Sequence, residues 1–175
     1  MLSPKRQRGF TLIELLIVVA MILILATLAI PAVTRYRIST NQTSAVNSLR
    51  NIHREMVSYS TNYPVVGFAQ NLKSLGPQAQ SGCTQPDQNA SCLLTDWGLV
   101  SGLKDGYYFA AAGSGGPPSD GFVAVAVPST YNSTGVRVYC VTEDGNIHSD
   151  PNRSKIQGPS GTAGLTRAAC LAFTE

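Results

Sequence analysis

Residues 8–14 read Arg8-Gly9-Phe10-Thr11-Leu12-Ile13-Glu14, and an apolar run, Leu15 to Ile30, follows at once. This stretch places a carboxylate one helical turn inside a segment of membrane-spanning character. An ionisable side chain in hydrocarbon is costly and marks a function that supplies it with a partner. At a rise of about 1.5 Å per residue, residues 10–33 reach about 36 Å as a helix, enough for a hydrocarbon core of about 30 Å.

On its N-terminal side the stretch is preceded by Lys5 and Arg6 and contains Arg8, with no acid before Glu14. A short basic segment before an apolar run is the layout of a secretory signal, which is normally cut after the run at a small-residue site. Ala29-Ile30-Pro31-Ala32 is a poor version of such a site, whereas Gly9 is a small residue placed before the run. Cleavage after Gly9 removes the basic leader, keeps the apolar segment and creates a new amino group on Phe10, four residues from Glu14.

The combination of Lys5, Arg6, Arg8, Gly9, Phe10, Thr11, Leu12, Ile13 and Glu14 resembles the type IV pilin family, which includes the pseudopilins of type II secretion. The close resemblance covers about the first 35 residues. It implies a prepilin peptidase that cuts after Gly9 and methylates the Phe10 amine. It also implies an inner-membrane assembly platform with a separate ATPase, and a filament of many pilin copies. Glu14 would then pair with the Phe10 ammonium of a neighbouring copy, setting axial register. Many pilins carry a proline where Pro31 stands, and there the helix loosens on assembly; a plain kink at the membrane boundary is the other reading of Pro31. The implied location is a single-pass inner-membrane precursor that ends in an extracellular pilus or a periplasmic pseudopilus.

The charge balance agrees with an exported chain that keeps no basic surplus. Thirteen Lys and Arg oppose ten Asp and Glu, and without Lys5, Arg6 and Arg8 ten basic residues face ten acidic ones. The basic surplus therefore belongs to the leader and gives no case for nucleic-acid binding. Arg35, Arg37, Arg50 and Arg54 read as a solvated or inter-subunit face in preference to a strip for DNA or anionic lipid. Arg35 and Arg37 also weaken the charge asymmetry across the span, so its orientation rests partly on the resemblance.

Four cysteines fit an oxidising compartment. Of the three possible pairings, Cys83–Cys92, closing a short loop, and Cys140–Cys170, tying down the tail, are favoured. No Cys-x-x-Cys pair and no nearby histidine set supports zinc.

From Val33 the pattern turns amphipathic. At helical spacing Ile38, Ala45, Leu49, Ile52, Met56 and Tyr63 share one face, with Val46 and Val57 on its flank; Asn47, Arg50, Arg54, Glu55 and Ser58 point elsewhere. Pro64 should end the helix at Tyr63. A rod from Phe10 to Tyr63 would be about 80 Å long, so its first half needs lipid or other chains around it. Asn71 to Leu75 suggests one or two helical turns, stopped by Gly76-Pro77. Strand signals follow at Tyr107–Ala111, Phe122–Val127 and Val136–Val141, and Asp144-Gly145 marks a hairpin into a short Asn146–His148 strand. Alternation places one of Tyr107 and Tyr108 in the core.

The expected fold is α+β and pilin-like: a long N-terminal helix, half membrane and half amphipathic, packed on one face of a three- or four-stranded antiparallel sheet. The expected order is a cleaved leader over 1–9, a transmembrane and assembly helix over 10–33, an amphipathic helix over 34–63, an αβ-loop region over 64–105, the sheet over 106–149 and a C-terminal loop over 150–175. No catalytic arrangement surrounds His53 or His148, no cofactor motif occurs, and the expectation is a structural protein. The oxygens of Glu143, Asp144, Asn146 and Asp150 invite comparison with calcium-binding loops of major pseudopilins. A hairpin turn explains Asp144-Gly145 more simply, and the EF-hand pattern is absent. Within the family the first expectation is a type IV pilus subunit. The alternatives are a type II secretion pseudopilin and a low-copy tip or minor pilin that binds DNA or a surface.

Overall fold

The computed structural model describes residues 9–150 and 166–173, and of residues 28–32 the backbone alone. By its internal contacts the chain divides into two units, residues 1–36 and 37–175. Helix α1 runs from Leu12 to Asn62. The helix is continuous through Pro31. Tyr63, preceding Pro64, closes it with a bond from its N–H to the Tyr59 carbonyl (2.9 Å), as expected for a residue that proline bars from continuing the helix.

In the first unit the large apolar side chains of α1 from Leu12 to Leu25 are exposed. Exposure of the large apolar residues between Leu12 and Leu25 ranges from 47% at Ile17 to 82% at Leu12. Among the described residues no helix is long and apolar enough to cross a membrane. The segment expected to span, residues 10–33, includes residues 28–32, whose side chains are outside those described. The leader residues Lys5, Arg6 and Arg8 and the stretch 151–165 also fall outside the description.

In the second unit the C-terminal half of α1 buries one face. Ala45, Leu49, Ile52, Met56 and Tyr59 are all at most 1% exposed, following the alternating spacing of four and three that keeps successive residues on one side of a helix. This face is rotated from the expected one. Ser48, Tyr59 and Glu55 are buried, Tyr63 is only partly buried, and Val57 is exposed. Glu55 sits at the rim of the buried face with its carboxylate on the Arg54 guanidinium (2.8 Å), so its charge enters the edge of the core with a partner rather than alone.

Two short helices follow, α2 over Leu72–Leu75, capped by the Asn71 side chain, and α3 over Trp97–Ser101, capped by Asp96. The sheet has five strands, one more than the largest expected number: β1 (Leu103–Lys104), β2 (Tyr107–Ser114), β3 (Gly121–Pro128), β4 (Val138–Thr142) and β5 (Ile147–Asp150). They pair in sequence order, every neighbour antiparallel. The added strand β1 is a two-residue edge with no apolar alternation to announce it. Tyr107 is the buried member of the tyrosine pair, its hydroxyl donating to the Arg137 carbonyl (3.1 Å). Burial foremost, with the neighbouring Tyr139 adding to it, pushes the Tyr107 hydroxyl far above the ordinary phenol range.

Strand β3 explains the layering. All its residues, Gly-Phe-Val-Ala-Val-Ala-Val-Pro, are buried, the mark of a strand covered on both faces. Phe122, Ala124 and Ala126 face the core that contains Leu49, Ile52 and Met56, and the small alanines let the helix approach the sheet. Val123, Val125 and Val127 join Val138 and Cys140 on the opposite face, under Cys170 and Phe173. The helix packs on one face of the sheet as expected, and the structure adds a cover on the other face. The tail expected as a loop over 150–175 contributes Asp150 to β5 and forms a short helix, α4 (Arg167–Leu171), which the Cys140–Cys170 disulfide fastens to β4. The second disulfide joins Cys83 to Cys92.

Candidate assembly site

Gly9, Phe10 and Thr11 precede α1 in non-helical backbone. Nothing lies within 4 Å of where a Gly9 Cβ would be, and Phe10 is 79% exposed. The Gly9–Phe10 peptide bond is thus solvent-accessible and outside the helical hydrogen-bond ladder, the condition under which a peptidase can bind a chain in extended form.

Thr11 and Glu14 form a reciprocal cap. The Thr11 N–H and hydroxyl both donate to Glu14 Oε2 (2.9 and 2.7 Å), and the Glu14 N–H donates to Thr11 Oγ1 (3.3 Å). A helix begins with backbone N–H groups that have no intrahelical acceptor. Threonine followed three residues later by glutamate satisfies two of these reciprocally, and the carboxylate also complements the positive end of the helix. Sequence reasoning missed this role, although the signal was present as Thr-x-x-Glu directly ahead of an apolar run. Glu14 therefore has a partner within its own chain. Only Oε2 is committed, and the side chain stays exposed.

The other residues singled out by sequence lie in the second unit. His53 packs against the Phe122 ring at 5.7 Å between centroids, and His148 Nε2 stands 3.4 Å from Asp144 Oδ2. Neither meets a nucleophile. The Asp144 carboxylate accepts from the Thr142 hydroxyl (2.8 Å), the Asn146 N–H (3.1 Å) and the Asn146 amide (3.1 Å). Partial burial works to raise its pKa, but those bonds and His148 together hold it below the ordinary carboxylate value. Glu143 is paired with Arg167 of α4. These contacts tie the Asp144 carboxylate within its own hairpin and, through Glu143 Oε1, anchor the tail, while Glu143 Oε2 is buried without a hydrogen-bond partner among the described residues. Among the described residues no group of three or more His, Cys, Asp or Glu is placed to hold a metal ion. Arg54 bonds Asn51 and Glu55, and Arg50 bonds Asn47, so these two cations are tied along their own helix.

Comparison with known proteins bears on the N-terminal segment. The family model for the prokaryotic N-terminal methylation motif matches residues 4–30. The chain is 44% identical over 54 residues to a type IV major pilin protein, PilA, of Myxococcus xanthus (strain DK1622), a match that covers 31% of this chain and 24% of that one. It is 56% identical over 45 residues to a fimbrial protein of Pseudomonas aeruginosa, covering 26% and 29%. The matched stretch thus spans about a quarter of the length of these relatives. No solved structure matches significantly.

Proposed function

We propose, from the similarity of its N-terminal segment to the methylation-motif family and to type IV pilin and fimbrial proteins, that the chain is a structural subunit of a type IV pilus filament and not an enzyme. Prepilin peptidase cuts after Gly9 and methylates the Phe10 amine. Before assembly the mature chain is held in the inner membrane by residues 10–33, with the second unit outside. An assembly platform, driven by a separate ATPase, moves the apolar helix from lipid into a bundle with other copies. Glu14 of one copy meets the Phe10 ammonium of another, and Pro31 lies where the helix changes environment.

The observation that supports this reading is the start of α1. An accessible Gly9–Phe10 bond leads directly into a helix whose apolar side chains from Leu12 to Leu25 are exposed, with Glu14 as the acid of its first turn. A contiguous apolar surface of this kind requires lipid or protein to cover it. The internal cap on Glu14 is compatible with a second partner because Oε1 remains open. One carboxylate can then start its own helix and accept a charged donor from a neighbour.

Two measurements on material sheared from cells test the proposal. Mass spectrometry should find a mature chain beginning at N-methylated Phe10; an intact Met1 in assembled material would refute processing. Glu14→Gln should leave the protein in the membrane fraction but deplete it from fibres, and undiminished fibre yield would refute inter-chain pairing. A protein absent from surface fibres yet required for enzyme export would instead identify a type II secretion pseudopilin.

A further inference from the structure

The segment between α1 and the sheet builds a cavity within the second unit. Helices α2 and α3 pack so closely that a Cβ on Gly76 would lie 2.5 Å from Val100 Cγ2. The end of the short disulfide loop and the chain just after it are stitched to α2 and its C-cap by bonds from the Ser91 N–H to the Ser74 carbonyl (2.8 Å), the Cys92 N–H to the Gly76 carbonyl (3.1 Å) and the Leu94 N–H to the Leu75 carbonyl (2.8 Å). Within the loop, the Asp87 carboxylate accepts from the Asn89 N–H (2.7 Å) and the Ala90 N–H (2.8 Å), fixing the turn that presents Asn89. These constraints leave a cavity of about 450 Å³, within the range of roughly 300–1,000 Å³ common for small-molecule sites. Pro77, Ala90 and Val100 supply apolar surface, Trp97 an aromatic face, and Lys73 and Asn89 polar groups.

Trp97 is the single tryptophan of the chain. It is the first residue of α3; it packs against the core yet stays only partly buried, which leaves part of its surface to line the cavity. Among the described residues, the Lys73 ammonium, the Asn89 side-chain amide and the Trp97 indole N–H have no protein hydrogen-bond partner. No acid lines the cavity.

We propose that this cavity binds a saccharide ring that carries a carboxylate. The C–H face of a pyranose is apolar and flat and stacks on an indole, while its hydroxyls face outward and need donors and acceptors. An amide such as Asn89 provides both, and the Lys73 ammonium provides a counter-charge. A purely apolar ligand would strip water from Lys73 and Asn89 without replacing its hydrogen bonds. An extended peptide would look for backbone N–H groups, and those of Ser91, Cys92 and Leu94 are already directed at α2. The site lies wholly within the second unit, and the inference does not rest on filament assembly.

The single indole makes the test direct. The full chain, in micelles of a detergent without a sugar headgroup, is titrated with D-glucuronate, D-glucose and acetate while Trp97 emission is recorded. Glucuronate should give a saturable change with a dissociation constant on the order of 1 mM. Glucose should bind about 5-fold more weakly, the size of an exposed ion pair, and acetate should produce no change. Lys73→Gln should abolish the preference for glucuronate over glucose, and Asn89→Ala should weaken both. Both side chains are exposed, and unchanged emission of the unliganded variants checks their folding. The absence of saturable change with either sugar, a response equal for acetate and glucuronate, or affinities unaltered by both substitutions would overturn the proposal.

Discussion

Replacing Cys140 and Cys170 together with serine should detach α4 and destabilise the second unit more than loss of the other disulfide. The bond links residues 30 apart in sequence, against 9 for Cys83–Cys92. Loop-closure entropy in the unfolded chain then gives about 3.6 kcal/mol for the first and about 2.6 kcal/mol for the second. Non-covalent contacts cannot hold α4 by themselves. Phe173 is 6% exposed, and burying such a side chain contributes about 1.5–3 kcal/mol. The Arg167–Glu143 pair is partly solvated and adds about 1 kcal/mol at most. Ordering the backbone of the five residues of α4 costs about 1–2 kcal/mol each, which exceeds both together. In the variant the face formed by Val123, Val125, Val127 and Val138 should open to water. Urea unfolding should show a loss of about 3–4 kcal/mol, a midpoint lowered by about 2 M at a slope near 1.5–2 kcal/mol/M. A dye specific for exposed apolar surface should bind before the transition. A loss below about 1 kcal/mol without dye binding, or a larger loss from the Cys83/Cys92 double variant, would refute the reasoning.

Three further outcomes follow from single sites. Gly67 has φ +78°, and a Cβ there would lie 2.2 Å from the Ser119 carbonyl oxygen; Gly67→Ala should destabilise by about 1–3 kcal/mol, seen as a lowered unfolding midpoint. Ile52 is fully buried against the sheet; Ile52→Ala should cost about 2–5 kcal/mol and Ile52→Val about 0.5–1.5 kcal/mol. For Asp96, partial burial acts to raise the pKa, but Lys104 at 2.6 Å and the N–H groups of Leu99 and Gly98 outweigh it and hold the carboxyl below its ordinary value. A folded pKa below the unfolded one gives stability that is present above the unfolded value, near 3.9, and is lost as pH falls through the folded one. Stability should therefore decline in that acid range, and Asp96→Asn should flatten the slope in pH-dependent urea unfolding.

The N-terminal segment was legible because its signals are local. Glycine, a basic flank and a carboxylate at a fixed offset from an apolar run need no knowledge of the rest of the chain. The amphipathic half of α1 was legible for the same reason. Ala45, Leu49, Ile52 and Met56 repeat at helical spacing, and Tyr59 continues that spacing although it was left out of the expected face. The buried place of Glu55 and the exposure of Val57 were not legible, because they depend on how far the helix rolls on the sheet. The Thr11–Glu14 cap was readable and overlooked, since the search for a distant partner for Glu14 passed over the residue three positions before it.

The strand pattern shows where sequence stops. Alternation in β2 and the hairpin at Asp144-Gly145 announce themselves within a few residues. The eight consecutive buried positions of β3 carried a further message, that both faces of the strand are covered, but no local pattern says by what. The cover is α4, which reaches β4 through a bond between Cys140 and Cys170. Likewise, Lys73, Asn89 and Trp97 are spread along a polar, turn-rich stretch and come together only because Gly76 allows α2 to press against α3. Sequence by itself determined the elements whose cause is short-range: the capped, exposed apolar helix, the amphipathic face and the turns. Tertiary structure decided the contacts between distant segments. These depend on the volume left between packed surfaces, which is a property of all the side chains together and of no local stretch.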